Sequence, residues 1–261
     1  MLRALWEYRA LVASLVQRDF RLRSARALWG NAWLAIHAAA QILIYTVIFS
    51  EVMQARLPGA GDRLSYGLYV CVGLITWSYF SEILVRSQTL FLQHADLLKT
   101  LRFPRATLPA ALFVGATLNF AVVAGIFLVV LLATDRWPGI ALLGAVPLLA
   151  IQGLLALALG VLTGTVNVFF RDVGNAMSVL LQFWFWLTPI VYPIGIVPEP
   201  VRSWLALNPL FPIVSGYQSI VLEQTLPDWA GAALALAVGL VLAGAAWSVF
   251  RALSPDLVEE L

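Results

Sequence analysis

Charged side chains leave this sequence for long stretches at a time: none occurs within residues 27–50, 64–81, 106–134, 137–170, 173–198, 203–222 or 229–250. Crossing the hydrocarbon core of a bilayer takes about 20 apolar residues, and most of these stretches are long enough. No water in that core satisfies the backbone, so each crossing must close its own hydrogen bonds as a helix. The chain is 61% hydrophobic and 11% charged, where a soluble domain carries about 25% charged residues. A soluble core protein is excluded, and the expected fold is an all-α integral membrane protein.

The stretch 203–222 is the exception, because Asn208-Pro209 and Phe211-Pro212 interrupt it. Proline removes a helix hydrogen bond and clashes with the preceding turn. We read residues 198–228 as a re-entrant helical pair before the last span, which leaves six transmembrane helices within 27–261. Residues 1–26 precede them. There Arg3, Glu7, Ser14, Gln17, Arg18 and Arg21 share one helical face, with Leu5, Tyr8, Val12, Leu15 and Val16 opposite. That is the pattern of an amphipathic interface helix, broken at Arg9 and Asp19. The first apolar run starts after Arg26 and is of spanning length, unlike the short core of a cleavable signal. Counting Lys and Arg for six spans puts 12 on the side of the N-terminus and 4 on the other. Both termini are therefore expected in the cytoplasm.

Several kinds of chemistry find no residues here. A net charge of +2 does not suit nucleic acid, and the single Cys71 forms no intramolecular disulfide. His37 and His94 lie far apart, and no phosphate-cradling loop, metal spacing or nucleophile–base constellation occurs. The chain is read as a non-enzyme that binds no cofactor or metal. Charges inside spans are costly and usually functional; Glu82 and Arg86, spaced to pair on one helix face, are the main instance. So few buried titratable groups argue against proton coupling and favour a separate ATPase as the motor.

The residues that could serve transport fall in three groups. Gln182-Phe183-Trp184-Phe185-Trp186 opens an aromatic run, and flat apolar rings stack on sugar faces. On a continuous helix Phe183, Trp186, Ile190 and Pro193 would share one stripe, and Trp184, Thr188, Val191 and Tyr192 another. Either stripe can line a passage, with Tyr45 and Trp77 as further candidates. The loop 92–108 has helical apolar spacing at Leu97, Leu98 and Leu101 and carries Lys99, Arg102 and Arg105; with Arg18 and Arg21 it would dock a soluble motor. Arg171 and Asp172 form a charged elbow suited to a gate.

Three elements in order carry a resemblance: Asn167-Val-Phe-Phe-Arg171-Asp172, Thr188-Pro189-Ile-Val-Tyr192 and Asn208-Pro209-Leu-Phe-Pro212. With Arg18-Asp19-Phe20-Arg21-Leu22-Arg23, Gln41-Ile-Leu-Ile-Tyr45 and Arg102-Phe103-Pro104-Arg105, they resemble the membrane subunit of polysaccharide ABC exporters. These are the permeases for O-antigen, capsule and teichoic acid within the type-2 ABC exporter superfamily. The resemblance implies a homodimer with a channel at its interface and two copies of a cytoplasmic ATP-binding subunit, which would hold the ATP and Mg. It implies a lipid-linked polysaccharide as cargo, a bacterial inner membrane, and possible periplasmic export partners. It also gives Arg171 a second role as a contact for the substrate's phosphate. The alternatives are a type-2 permease for a drug or lipid, and a membrane-embedded sugar-transfer enzyme.

Overall fold

The computed structural model describes residues 7–24, 32–48, 64–100, 103–254, 256–258 and 260. Among them there are helices and turns and no strand. The helices are α1 (Arg9–Ser24), α2 (Ala32–Val47), α3 (Leu64–Gln93), α4 (Ala95–Thr100), α5 (Thr107–Ala133), α6 (Ala145–Phe169), α7 (Asp172–Trp186), α8 (Glu199–Leu205), α9 (Leu210–Leu222) and α10 (Trp229–Leu253). A 3-10 segment, Gly139–Gly144, leads directly into α6.

The centre of the bundle is α3, packed against α6, with α10 on the far side of α6. In α3, 61% of the most apolar window is buried, against 17% in α5, so α5 presents most of its surface outward. Helices approach closely in lipid where small residues line the contact, and α6 supplies Gly160 and Gly164 at the required spacing. A Cβ at Gly160 would lie 2.5 Å from Ser87 Oγ, and one at Gly164 would collide with the Ser87 carbonyl oxygen. Hydrogen bonds hold the same seam. Gln152 Nε2 donates to the Thr76 carbonyl at 2.7 Å, Gln88 Nε2 to Thr163 Oγ1 at 2.8 Å, and Asn167 Nδ2 to the Gln88 carbonyl at 2.8 Å.

Among the described residues four helical segments are long and apolar enough to cross a membrane: α3, α5, α6 with its 3-10 lead, and α10. The expected first span is α2, of which Ala35–Val47 is apolar; its flanks at 25–31 and 49–63 lie outside the described residues. The expected fifth span departs from the reading of one continuous helix. Helix α7 ends at Trp186 after 15 residues, about 22 Å at 1.5 Å per residue, and 187–193 are turns and bends. Pro189 explains the stop, since the residue before a proline is pushed out of the α region. Ile190, Val191, Tyr192 and Pro193 therefore do not continue either helical stripe of α7.

The broken stretch does fold as two short helices. Helices α8 and α9 meet at 101° across Asn208-Pro209. Helix α9 is buried along Leu210, Ile213, Val214, Tyr217, Gln218 and Ile220, packed on α3, α6 and α10, while α8 leaves Trp204 76% exposed. At the opposite end of the bundle α1 packs on α5. Its apolar face, Val12, Leu15 and Val16, turns inward, and Ser14, Gln17, Arg18 and Arg21 are exposed, as the periodicity requires. Residues 1–6 lie outside the described residues.

Candidate functional site

The site begins at a groove of about 330 Å³ between α2, α3 and α5, whose lining includes the aromatic rings of Tyr45 and Trp77. Among them stand polar side chains: His37, Gln41, Ser78, Ser81, Glu82 and Asn119. Pockets of roughly 300–1,000 Å³ with a few placed polar groups suit small-molecule-sized ligands. Ring faces offer stacking, while the carboxylate accepts hydrogen bonds and the amides both accept and donate them. That mixture fits a hydroxyl-rich, flat-faced unit such as a sugar ring. Sequence reasoning named Tyr45 and Trp77 and missed the polar lining. A signal existed, because Asn119 is the single amide in the apolar run 106–134.

From Trp77 an aromatic chain runs towards α7. Its ring lies 5.6 Å from Phe185 in an edge arrangement, and Phe185 lies 5.3 Å from Trp186. The two stripes of α7 now separate. Phe183 and Trp186 are 66% and 63% exposed and face away from the helix bundle. Trp184 turns inward, its ring edge-on to Phe80 at 5.3 Å, and its indole N–H donates to Asn208 Oδ1 at 2.8 Å.

Asn208 is the hub that joins two of the sequence elements. Its Nδ2 donates to Thr188 Oγ1 at 2.8 Å and to the Leu187 carbonyl at 3.1 Å, while Oδ1 also accepts the Leu210 N–H at 3.0 Å. The freed carbonyls after α7 find side chains elsewhere. Tyr66 donates to Val191 O at 2.6 Å, Tyr69 to Pro189 O at 3.0 Å, and Gln218 to Pro189 O at 3.3 Å. The Tyr192 hydroxyl donates back to Trp186 O at 2.6 Å. Protein groups thus satisfy this irregular backbone, the condition on which such backbone is tolerated within a bilayer. Gly73 gives the loop room, since a Cβ there would lie 3.1 Å from the Ile190 carbonyl oxygen.

The basic residues expected to dock a motor or form a gate lie at the other end. Lys99 lies exposed on α4, and Arg105 donates to Ser254 Oγ at 3.1 Å, tying the loop after α4 to the end of α10. Arg102 lies outside the described residues. Arg171 and Asp172 are both exposed at the start of α7, where an acidic residue complements the helix dipole. Asn167 builds that elbow: its Oδ1 accepts the Gly174 N–H at 2.6 Å. A second cavity, about 650 Å³, lies between α1, α3, α4 and α5 and is lined in part by Arg18, Asp19, Arg86, His94 and Asp96.

Residues 10–222 match the family of the ABC-2 type transporter. The chain belongs to this family. The matched span includes α1 through α9, hence the groove, the aromatic helix and the Asn208 hub. Over its full length this ABC-2 permease is 32% identical to the O-antigen export system permease protein RfbA of Myxococcus xanthus, covering 99% of that protein. It is 24% identical to a Klebsiella pneumoniae protein of the same name, over 96% of this chain and 95% of the relative. It is 24% identical to the polysialic acid transport protein KpsM of Escherichia coli, over 78% of each. A multi-pass transport permease is the shared character, and the long apolar helices of this ABC-2 chain agree with it.

Proposed function

We propose that this permease is the channel-forming subunit of an ATP-driven exporter that moves a lipid-linked cell-surface polysaccharide, of O-antigen or capsule type, across the bacterial inner membrane. The observation that carries the reading is similarity to an O-antigen export permease along the whole of both chains. The aromatic–polar groove supports it, because rings grip each sugar while repeated weak contacts let a chain slide.

In this reading α2, α3, α5, α6, α7 and α10 are the six spans, both termini face the cytoplasm, and α8–α9 is a re-entrant pair on the outer side. Two copies form the channel, with Phe183 and Trp186 on the shared face. Two copies of a cytoplasmic ATP-binding subunit hold the ATP and Mg and dock at Arg18, Arg21, Lys99, Arg102 and Arg105. Arg171, whose planar fork suits phosphate, meets the lipid-linked end of the cargo near the inner mouth.

The test is reconstitution with the partner ATPase in proteoliposomes, supplied with lipid-linked polymer from the host. ATP hydrolysis stimulated by that polymer, with its transfer across the bilayer, is the expected result. Stimulation by a lipid or drug and none by the polymer would replace the cargo.

A further inference from the structure

A chain of polar contacts links the larger cavity to the aromatic groove. Asp19 Oδ2 of α1 accepts from Arg86 Nη2 at 2.7 Å, and Glu82 Oε1 accepts from Arg86 Nη1 at 3.1 Å. Glu82 Oε2 in turn accepts from Asn119 Nδ2 of α5 at 2.7 Å. Asp19 and Arg86 line the larger cavity beside α1 and α4. Glu82 and Asn119 line the groove with Tyr45 and Trp77. The Arg86 guanidinium is therefore the partition between the two spaces, with a carboxylate on each side.

The two carboxylates are not equivalent. Glu82 sits four residues from Arg86 on the same helix, so their pairing survives any rigid movement of α3. Asp19 belongs to α1, and its contact with Arg86 lasts only while α1 keeps its place. The Arg86 side chain is partly buried, 26% exposed, so losing a partner costs it more than it would an exposed surface pair. Here Glu82 remains as a second acceptor, so Arg86 can release Asp19 without being left uncompensated. The larger cavity under α1 gives that helix room to shift. Arg86 pulled fully onto Glu82 would compete with Asn119 for the same carboxylate and so change what the groove offers a ligand.

We propose that Asp19 and Arg86 are positioning residues: a releasable clasp through which the place of α1 sets the orientation of Glu82 in the groove. Allosteric coupling needs an element with two arrangements that both sites bias, and a guanidinium shared between two carboxylates is one. The proposal rests on the export reading for what the groove binds, but the clasp itself is independent of the cargo.

The test uses the full chain in native membranes with Cys71→Ala as background and Leu15→Cys, on the cavity face of α1, as reporter. A charged maleimide is presented on both faces of the membrane and the labelling rate measured. Asp19→Asn removes the inter-helix partner and raises labelling about five-fold, which corresponds to about 1 kcal/mol; Asp19→Glu keeps a carboxylate and stays near the parent. Glu82→Gln removes the spare acceptor, so Arg86 holds Asp19 harder and labelling falls. A merely structural network would loosen in both variants, so equal signs, or no change in either, overturn the clasp. If Asp19→Asn fails to insert, the sign for Glu82→Gln decides alone. Surface polymer on cells carrying the parent chain is scored in parallel: its absence counts against the export reading and leaves the labelling result standing.

Discussion

At the scale of single residues, the two tryptophans of α7 do different work although they are two positions apart. Trp184 is a hydrogen-bonded strut: losing Asn208 would take the partner from its indole N–H and from the Leu187 carbonyl. Leaving such groups without partners costs about 1–3 kcal/mol, so Asn208→Ala should lower the thermal midpoint of the purified permease by several degrees. Trp186 and Phe183 have no such duty. Leucine at both should leave that midpoint within about a degree, since exposed substitutions mostly stay within ±0.5 kcal/mol, while polymer export falls several-fold. Unchanged export would remove the exposed face of α7 from the passage. The sequence could place both tryptophans on one helix but could not tell their roles apart, because the deciding partner, Asn208, lies 24 residues away. The same limit hid Asp19, a break in the amphipathic pattern of α1 that the Arg86 contact explains.

Among the elements, the α3–α6 seam makes the sharpest demand. Gly164→Leu should abolish stable insertion, because the added carbons meet the Ser87 backbone rather than a movable side chain. Gly125→Ala and Gly244→Ala have nothing within 4 Å of the new Cβ and should raise helix stability by about 1 kcal/mol each. Expression and melting of the three variants, side by side, check this. Helix positions and the break at Asn208-Pro209 were legible from charge spacing and proline alone. The early end of α7 was not, since the aromatic run continues past it; reading Pro189 as a stop required weighing backbone geometry above hydropathy. The helix expected in the loop 92–108 is α4, with Lys99 outward. Charge reversal at Lys99, Arg102 and Arg105 together should uncouple ATP hydrolysis from export with the permease still inserted. Exposed pairs contribute about 0–1 kcal/mol each, so single reversals should have small effects.

On the scale of the whole molecule, helix α3 is longer than the membrane it crosses. Its 30 residues rise about 45 Å, against a hydrocarbon core of about 30 Å. One end, through Tyr66 and Tyr69, grips the irregular loop at 189–192; the other carries Arg86 and runs into α4. No proline or glycine pair interrupts it between Ile75 and Gln93. No proline occurs anywhere in it, so it can move as one rod, by translation, rotation or tilt. A tilt of about 5° about its midpoint carries each end roughly 2 Å in opposite directions, given a half-length of about 22 Å. Displacement delivered at α4 therefore arrives at the tyrosine grip mirrored in direction and undiminished in size, and the loop that closes one face of the protein moves by a hydrogen bond's tolerance or more. In mechanical terms, α3 is a beam balance whose far pan is the backbone of Pro189.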